Sequence, residues 1–419
     1  MRVAIQTLGT RGDVQPYIAL ALGLMERGHE VQIAAPVQFE AMVSGRGIAF
    51  AALPGEFLAL IDTPEGKAAL VGAQGFGAGL KLLKHVRPLM RSLLDAEWAA
   101  LRAFALDVII GHPKSLAAPH MAKALGCSYF LASPLPGFTP TAAFPSPMLP
   151  FASLGPLNRV SHALVMRGSE LLFGKLVGAW REQALGLTRR RYPAGDRSGT
   201  LYAYSPRVVP VPSNWGPDVL VSGYWFLGSE EWQPSEALTA FLEAGEPPVY
   251  VGFGSMPGLD PQGLTAIVIA ALAKAGKRGL LATGGGGLEA MNAPTHVHVI
   301  TGALHDWLFP QVAATIQHGG AGTTAASLRA GKPTAVCPFF GDQPFWGRRI
   351  ADLRVGPPPL DRNSLTAEAI AAAMMAMDDP IMRSRAAALR AAIRNENGVA
   401  AAVEFIERRA VFNLPSRTA

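Results

Sequence analysis

The sequence predicts an α/β protein built of two doubly wound, Rossmann-like domains in tandem, whose sheets turn their functional edges towards each other across a cleft. Three observations predict it. Val3-Ala-Ile5, a helical pattern from Tyr17 to Arg27 stopped by Gly28, and Val31 to Ala35 form a βαβ unit at the start of the chain. A fresh apolar strand, Val249 to Phe253, begins the same rhythm again. In both halves, glycine-rich loops follow strands, at the edge where such sheets meet ligands.

Composition agrees with two globular domains. The chain has 419 residues, 49% hydrophobic and 16% charged, which excludes a disordered chain and a nucleic-acid-binding tail. Its net charge of +6 suits an anionic ligand, an anionic membrane surface or a basic solvated face. Cys127 and Cys337 fall within or beside apolar strands and read as small core residues of a reducing compartment. No basic-then-apolar leader precedes the first strand, and no run reaches the roughly 18 apolar residues of a spanning helix. The expectation is a cytoplasmic, soluble protein, monomer or weak dimer, with at most peripheral membrane contact.

In the first half, the loop Thr7 to Pro16 leaves the first strand and carries Arg11 and Asp13. A carboxylate delivered there can take a proton from an acceptor hydroxyl, provided burial lifts its pKa from about 3.9 towards the working range. Equally, it can cap the helix expected to start near Pro16. Arg11 can orient it or face water. From Phe57 to Trp98 the chain turns rich in Gly, Leu and Lys, with Leu80, Leu83, Leu89 and Leu93 spaced for helices separated at Pro88. Regular order resumes with strands at Asp107–Ile110 and Ser128–Leu131 around a helix from Ala117 to Leu125. Ser133 to Pro156, punctuated by prolines between Phe138, Phe144, Met148 and Phe151, reads as the wall of an apolar acceptor cleft or as a loop packed on its own core. Arg189-Arg190-Arg191 reads as a solvated basic face.

The apolar pattern breaks at 228–246. This places an amino-terminal domain at 1–228, a linker at 229–246, a carboxy-terminal domain at 247–395, and a helix with a tail at 396–419 that can pack back on the first domain. The second half holds helices at Gln262–Ala275, Leu365–Met377, Pro380–Arg394 and Val399–Arg408, and strands at Gly279–Thr283, His298–Thr301, Val312–Gln317 and Thr334–Cys337. Gly254 and Ser255 end its first strand, where the hydroxyl suits a phosphate oxygen or a strand-ending turn. A run of glycines, Gly284 to Gly287, ends another.

His318-Gly-Gly-Ala-Gly-Thr-Thr324 sits where a strand hands over to a helix. Side-chain-free Gly320 and Gly322, on either side of the small Ala321, let an anion approach the backbone, the first helical N–H groups point at it, and His318 and Thr323 add donors. A diphosphate fits this loop; a tight strand-to-helix turn would use it as well. Asp342-Gln343, one strand on, suits the vicinal hydroxyls of a sugar. Leu304 and Trp307 lie in reach of the same edge, where a flat base can stack on the indole unless it is core.

Together, Gly9-Thr-Arg-Gly-Asp-Val-Gln-Pro16, Val249 to Met256 and Pro310 to Arg349 make the chain resemble the two-domain family 1 glycosyltransferases that use nucleotide-activated sugars, in their sterol and natural-product glucosyltransferase branch. The resemblance implies a GT-B fold, a UDP-sugar or TDP-sugar co-substrate without other cofactor or metal, and inversion at the anomeric carbon. It implies Asp13 as base, His318 to Thr323 on the diphosphate, and Asp342 and Gln343 on the donor sugar; from their places at strand ends, Ser255 is expected on the diphosphate and Gly254, Leu304 and Trp307 on the nucleoside. Arg11, Phe138 and Phe144 are expected at an apolar acceptor. Plant relatives carry a histidine base and a Trp-x-Pro-Gln uracil motif, where this chain has Asp13 and Leu304-His-Asp-Trp307. The rival expectations are a GT-B nucleotide-sugar 2-epimerase, which needs no acceptor wall, and a non-catalytic nucleotide-sugar-binding partner. A nicotinamide oxidoreductase is disfavoured, since neither half shows Gly-x-Gly-x-x-Gly with an acidic residue about twenty positions later.

Overall fold

The computed structural model describes residues 1–56, 75–188, 197–228, 232–254, 260–284, 286–289 and 293–411, without the side chains of 75–87, 169 and 411. In the first half, β1 (Arg2–Gln6), α1 (Arg11–Glu26), β2 (Glu30–Pro36), α2 (Glu40–Ser44), β3 (Ala49–Leu53), α3 (Gly75–Phe104), β4 (Val108–Gly111), α4 (Ala118–Leu125), β5 (Ser128–Ser133), α5 (Asn158–Leu185), β6 (Gly199–Tyr202) and β7 (Val219–Val221) follow in order. Their seven strands are parallel, in the order β3-β2-β1-β4-β5-β6-β7. Val3, Ile5, Ile33, Val108 and Ile110 are fully buried, so these strands read as continuous apolar runs covered on both faces.

The second half holds α6 (Glu236–Glu243), β8 (Val249–Gly252), α7 (Pro261–Ala275), β9 (Gly279–Ala282), β10 (Val297–Ile300), α8 (His305–Leu308), β11 (Ala314–Gln317), α9 (Ala321–Ala330), β12 (Thr334–Val336), α10 (Gln343–Asp352), α11 (Ala367–Ala376), α12 (Pro380–Arg394) and α13 (Gly398–Val411). Its parallel sheet runs β10-β9-β8-β11-β12. Strand order reverses between β1 and β4 in one sheet and between β8 and β11 in the other, and at such a switch point the loops diverge and leave a crevice at the carboxyl edge.

Two contacts tie the halves together. Helix α13 packs on α1, and its Ala402, Val403, Phe405 and Ile406 join the core of the first sheet. A Cβ at Gly23 would lie 2.3 Å from Val399, so α1 needs a glycine where α13 crosses it. Elsewhere Tyr204, Val208 and Tyr224 of the first half share one apolar cluster with Phe345, Trp346 and Ile350 of the second.

The structure corrects the sequence reading in three places. Helix α1 starts at Arg11, so Pro16 lies inside it; Asp13 occupies its third position and accepts the Thr10 backbone N–H at 2.8 Å, a reciprocal cap strong enough to start the helix ahead of the proline. Helix α3 runs unbroken through Pro88, because its Met90, Leu93, Leu94 and Leu101 are buried against the sheet and one lost backbone bond does not outweigh that burial. The long α5 and the short α10 had no element in the sequence reading. The side chains of Leu80 and Leu83, like Arg189 to Arg191 and Ser255, lie outside what the structure describes.

Candidate active site

Asp13 and His112 stand at the first switch point, Asp13 on the first turn of α1 after β1 and His112 in the loop after β4. Asp13 Oδ1 receives His112 Nε2 at 3.3 Å. Its Oδ2 accepts from Thr10 N at 2.8 Å, Thr10 Oγ1 at 3.3 Å and Lys114 Nζ at 3.0 Å. The approach is close: Gly9 has φ +130, and a Cβ there would lie 2.1 Å from Asp13 Oδ2 and 2.6 Å from the lysine ammonium. Only glycine fits that conformation and that space.

The backbone N–H of Lys114 donates to His112 Nδ1 at 3.1 Å. That nitrogen is therefore an acceptor, the ring is neutral, and its proton sits on Nε2, aimed at Asp13. Burial lowers the His112 pKa below 6.5, opposed by the hydrogen bond and charge of Asp13, which agrees with this tautomer. Tyr17 packs edge-on against the ring at 5.7 Å.

Asp13 corrects a further expectation. Burial does push its pKa up, but the His112 hydrogen bond and the Lys114 charge outweigh burial and hold it well below the usual carboxylate range. It is ionised throughout the working range, and it also caps α1. Oδ2 is crowded with donors, whereas Oδ1 takes one hydrogen bond and keeps a lone pair.

Beneath this loop lies a carboxyl that the sequence reading did not single out. Glu97 of α3 is fully buried; its Oε1 accepts from Ser115 Oγ at 2.5 Å, Ser115 also contacts Gln6 Oε1 at 3.1 Å, and Oε2 has no partner. Burial pushes its pKa up to about 8 against the Ser115 hydrogen bond, so it is a neutral acid below that pH.

The glycine loop occupies the second switch point, between β11 and α9. Gln317 braces it from inside, donating from Nε2 to Thr324 Oγ1 at 2.9 Å and accepting Gly319 N at 2.9 Å. Gly319 adopts φ +95 with Val336 behind it, and Gly320 caps α9 without a side chain. The amides of Ala321, Gly322 and Thr323 thus open a ten-residue helix at the loop. His318 lies against Gly254 and Gly320, its Nδ1 is buried without a partner, and burial lowers its pKa to about 4.

Asp342 immediately precedes α10, and its Oδ2 accepts Trp346 Nε1 at 2.7 Å. Burial raises its pKa against the Trp346 hydrogen bond; the charge of Asp13 adds to the rise and that of Lys114 opposes it. The two acidic groups therefore sense each other across the domains, and both feel the Lys114 charge. Gln343 is buried, and its Oε1 accepts Phe339 N at 2.7 Å and Phe340 N at 3.1 Å, so the amide braces the turn before α10. Trp307 packs on Trp232 at 5.0 Å within an apolar cluster. In the same short helix, His305 stacks on Phe309 at 4.3 Å, and burial together with the charges of Arg11 and His318 lowers its pKa to about 4. Arg11 thus stands near the second domain, while its Nε donates to Gln15 at 3.2 Å.

Of the expected acceptor residues, Phe144 meets Phe345 of the other domain at 5.6 Å, and Phe138 packs into the core around Trp180 with its amide on Tyr202 Oη at 3.2 Å. His112, Lys114, Glu97 and His305 are the site residues that sequence reasoning missed. His112-Pro-Lys114 directly follows an expected strand, which was the available signal. Among the described residues, no cluster of three His, Cys, Asp or Glu side chains is placed to hold a metal ion, and no helix is long and apolar enough to cross a membrane.

Comparison with known proteins agrees with this geometry. Residues 3–144 match the family model for the glycosyltransferase family 28 N-terminal domain, and residues 286–403 match that for the erythromycin biosynthesis protein CIII-like C-terminal domain. A sterol 3-beta-glucosyltransferase of Arabidopsis thaliana is 36% identical over 99% of this chain and 69% of its own length. One of Cryptococcus neoformans is 34% identical over 97% of this chain and 27% of its own length, so the chain spans about a quarter of that larger relative. The crystal structure of CalG4, the calicheamicin glycosyltransferase, superposes with a TM-score of 0.73 at 18% identity, covering 100% of this chain and 99% of the other, which shows the GT-B fold. With paired switch-point sites on two parallel sheets and such identity along nearly its whole length, the chain belongs to the sterol 3-beta-glucosyltransferase family of GT-B glycosyltransferases.

Proposed function

We propose that the protein transfers glucose from UDP-glucose, with inversion and without a metal, to the hydroxyl of an apolar acceptor such as a sterol or triterpene. The observation that carries this reading is a switch point in each sheet, one holding the Asp13–His112 pair beside Lys114 and the other an open helix start, with the charges of Asp13 and Lys114 both acting on Asp342 of the second domain. In this reading the acceptor oxygen attacks the anomeric carbon, the bond from that carbon to the diphosphate oxygen breaks, and the electron pair leaves on the diphosphate. Asp13 Oδ1 takes the acceptor proton. A carboxylate held low can do so, because the attacking oxygen becomes far more acidic than a carboxylic acid as its new bond forms. His112 orients Asp13. The amides of Ala321, Gly322 and Thr323, with His318, receive the leaving diphosphate in place of a cation.

Asp342 accepts sugar hydroxyls, with Gln343 fixing its turn; Gly254, Ser255, Leu304 and Trp307 are assigned to the nucleoside and its first phosphate; Arg11, Phe138 and Phe144 line the acceptor side. Residues 1–228 form the acceptor half and 247–395 the donor half, joined by 229–246, with helix α13 returning to the first.

Pure protein incubated with UDP-glucose or TDP-glucose and a panel of apolar alcohols is expected to give hexosylated product by mass spectrometry, faster with UDP. An epimerised donor without added acceptor supports the epimerase instead, and donor binding without consumption across the panel a non-catalytic role. His318→Ala is expected to weaken UDP binding about tenfold in calorimetry, the worth of one hydrogen bond to a charged group. Unchanged affinity would take His318 off the diphosphate.

A further inference from the structure

Among the described residues, seven of the twelve exposed large hydrophobic side chains fall between Met148 and Leu172. Leu157, just before α5, and Val160, Leu164 and Leu171 on it recur at spacings of three, four and seven, which at 100° per residue puts them within about 60° of one another. Leu164 is 63% and Leu171 84% exposed. The opposite side of the same helix is also apolar, with Val177 and Trp180 buried in the core of the first domain. The outward stripe is therefore an addition to the core-facing one. Met148 and Phe151, 45% and 49% exposed, extend it beyond the start of the helix.

We propose that this face of α5, with the Met148–Phe151 turn, is a peripheral docking surface for an anionic lipid bilayer, which presents the acceptor to the cleft. Charge selects the occupant. Arg167 and Lys175 are exposed on the same side of α5 and Glu170 is the one acidic residue between 148 and 181, so the stripe is flanked by cations. A second copy of the chain, related by a two-fold axis through the stripe, would bring these cations against their own images. An anionic headgroup layer meets them with the opposite sign while the leucines enter the acyl boundary.

Geometry connects the stripe to the site. The Ser133–Pro156 segment is fastened to the first turns of α5 by Asn158 Nδ2 on Ala142 O at 2.9 Å, Ser146 N on Ser161 Oγ at 2.8 Å and a 3.1 Å contact of His162 Nε2 with Phe144 O. Its Phe144 packs on Phe345, and Arg348 donates to Pro150 O at 3.1 Å. Stripe, wall and domain junction are thereby fastened to one another. The acceptor-presenting role rests on the function proposed above; the lipid contact does not.

The test is flotation of the full chain, without substrates, on phosphatidylcholine vesicles with and without phosphatidylglycerol. Binding is expected to the mixed vesicles, to be lost in high salt, and to fall at least about tenfold in Leu164→Asp/Leu171→Asp and in Arg167→Gln/Lys175→Gln. Ile381→Asp, at an exposed site on α12, is the control and retains binding. Undiminished flotation of both double variants overturns the proposal, as does failure of the wild type to float. Sedimentation that shows a wild-type dimer dispersed by Leu164→Asp/Leu171→Asp overturns it in favour of a second copy. The aspartates replace exposed side chains, and single Leu171→Asp repeats the test if the double variant does not fold. Donor hydrolysis assayed without vesicles is expected to be equal in all variants, so a failed glucosylation screen and a failed flotation are read separately.

Discussion

Asp13→Asn is expected to lower kcat by about 10²- to 10⁴-fold while the dissociation constant of UDP stays within about twofold of the wild type. The amide keeps the shape and still accepts Thr10 N, so α1 keeps its cap, but it cannot take a proton. His112→Ala is expected to lower kcat less, since it removes the group that orients Asp13 Oδ1 and leaves the base in place. The pH dependence separates this account from one with a high-pKa base. Asp13 is held well below the usual carboxylate range, so it stays ionised and keeps the base function as pH falls through that range. A kcat/KM profile with an acid limb near neutrality that Asp13→Asn abolishes would contradict the low pKa; turnover equal to wild type would remove Asp13 from the mechanism.

How far the sequence made this site legible follows from what each residue depends on. Asp13 and the His318–Thr324 loop each sit at a strand end that local pattern reveals: an apolar run, glycines, then a helical period. His112 and Lys114 also follow a strand, yet their meeting with Asp13 depends on β4 lying beside β1, and strand order is a long-range property. The same holds for Glu97, whose burial is set by the sheet that α3 covers. The pKa of Asp13 was misjudged for this reason: the carboxylate's burial was readable from its position, and the His112 hydrogen bond and the Lys114 charge that overcome burial were not. Gln343 shows the opposite limit. Its amide suits a sugar on chemical grounds, but its carbonyl is engaged by the backbone of Phe339 and Phe340, a use that only coordinates reveal. Helix α5 escaped because its apolar residues lie on two faces and blur the 3.6-residue period.

Glu97→Gln is expected to stabilise the first domain by a few kcal/mol near pH 8 and by little near pH 5. The sign follows from proton counts. Unfolded, the carboxyl titrates near its ordinary value of 4.5; folded, burial raises it to about 8. Between those values the native state holds a proton that the unfolded state has released, so wild-type stability falls as pH rises, by at most about 1.4 kcal/mol per unit. Above the upper value both states are ionised and the slope ends. The glutamine is neutral at every pH, keeps an acceptor for Ser115 Oγ, and so abolishes the slope without emptying the cavity. Calorimetric midpoints for the first domain, taken from about pH 5 to about pH 9, are expected to decline in the wild type and to run flat for this group in the variant. Parallel curves for the two proteins would show that Glu97 is ionised in the fold. Because Ser115 donates its backbone N–H to His112 O at 2.9 Å, the same ionisation would press on the loop that aims His112 at Asp13. The wild type is therefore expected to lose kcat above about pH 8 with donor affinity retained, and Glu97→Gln to keep it.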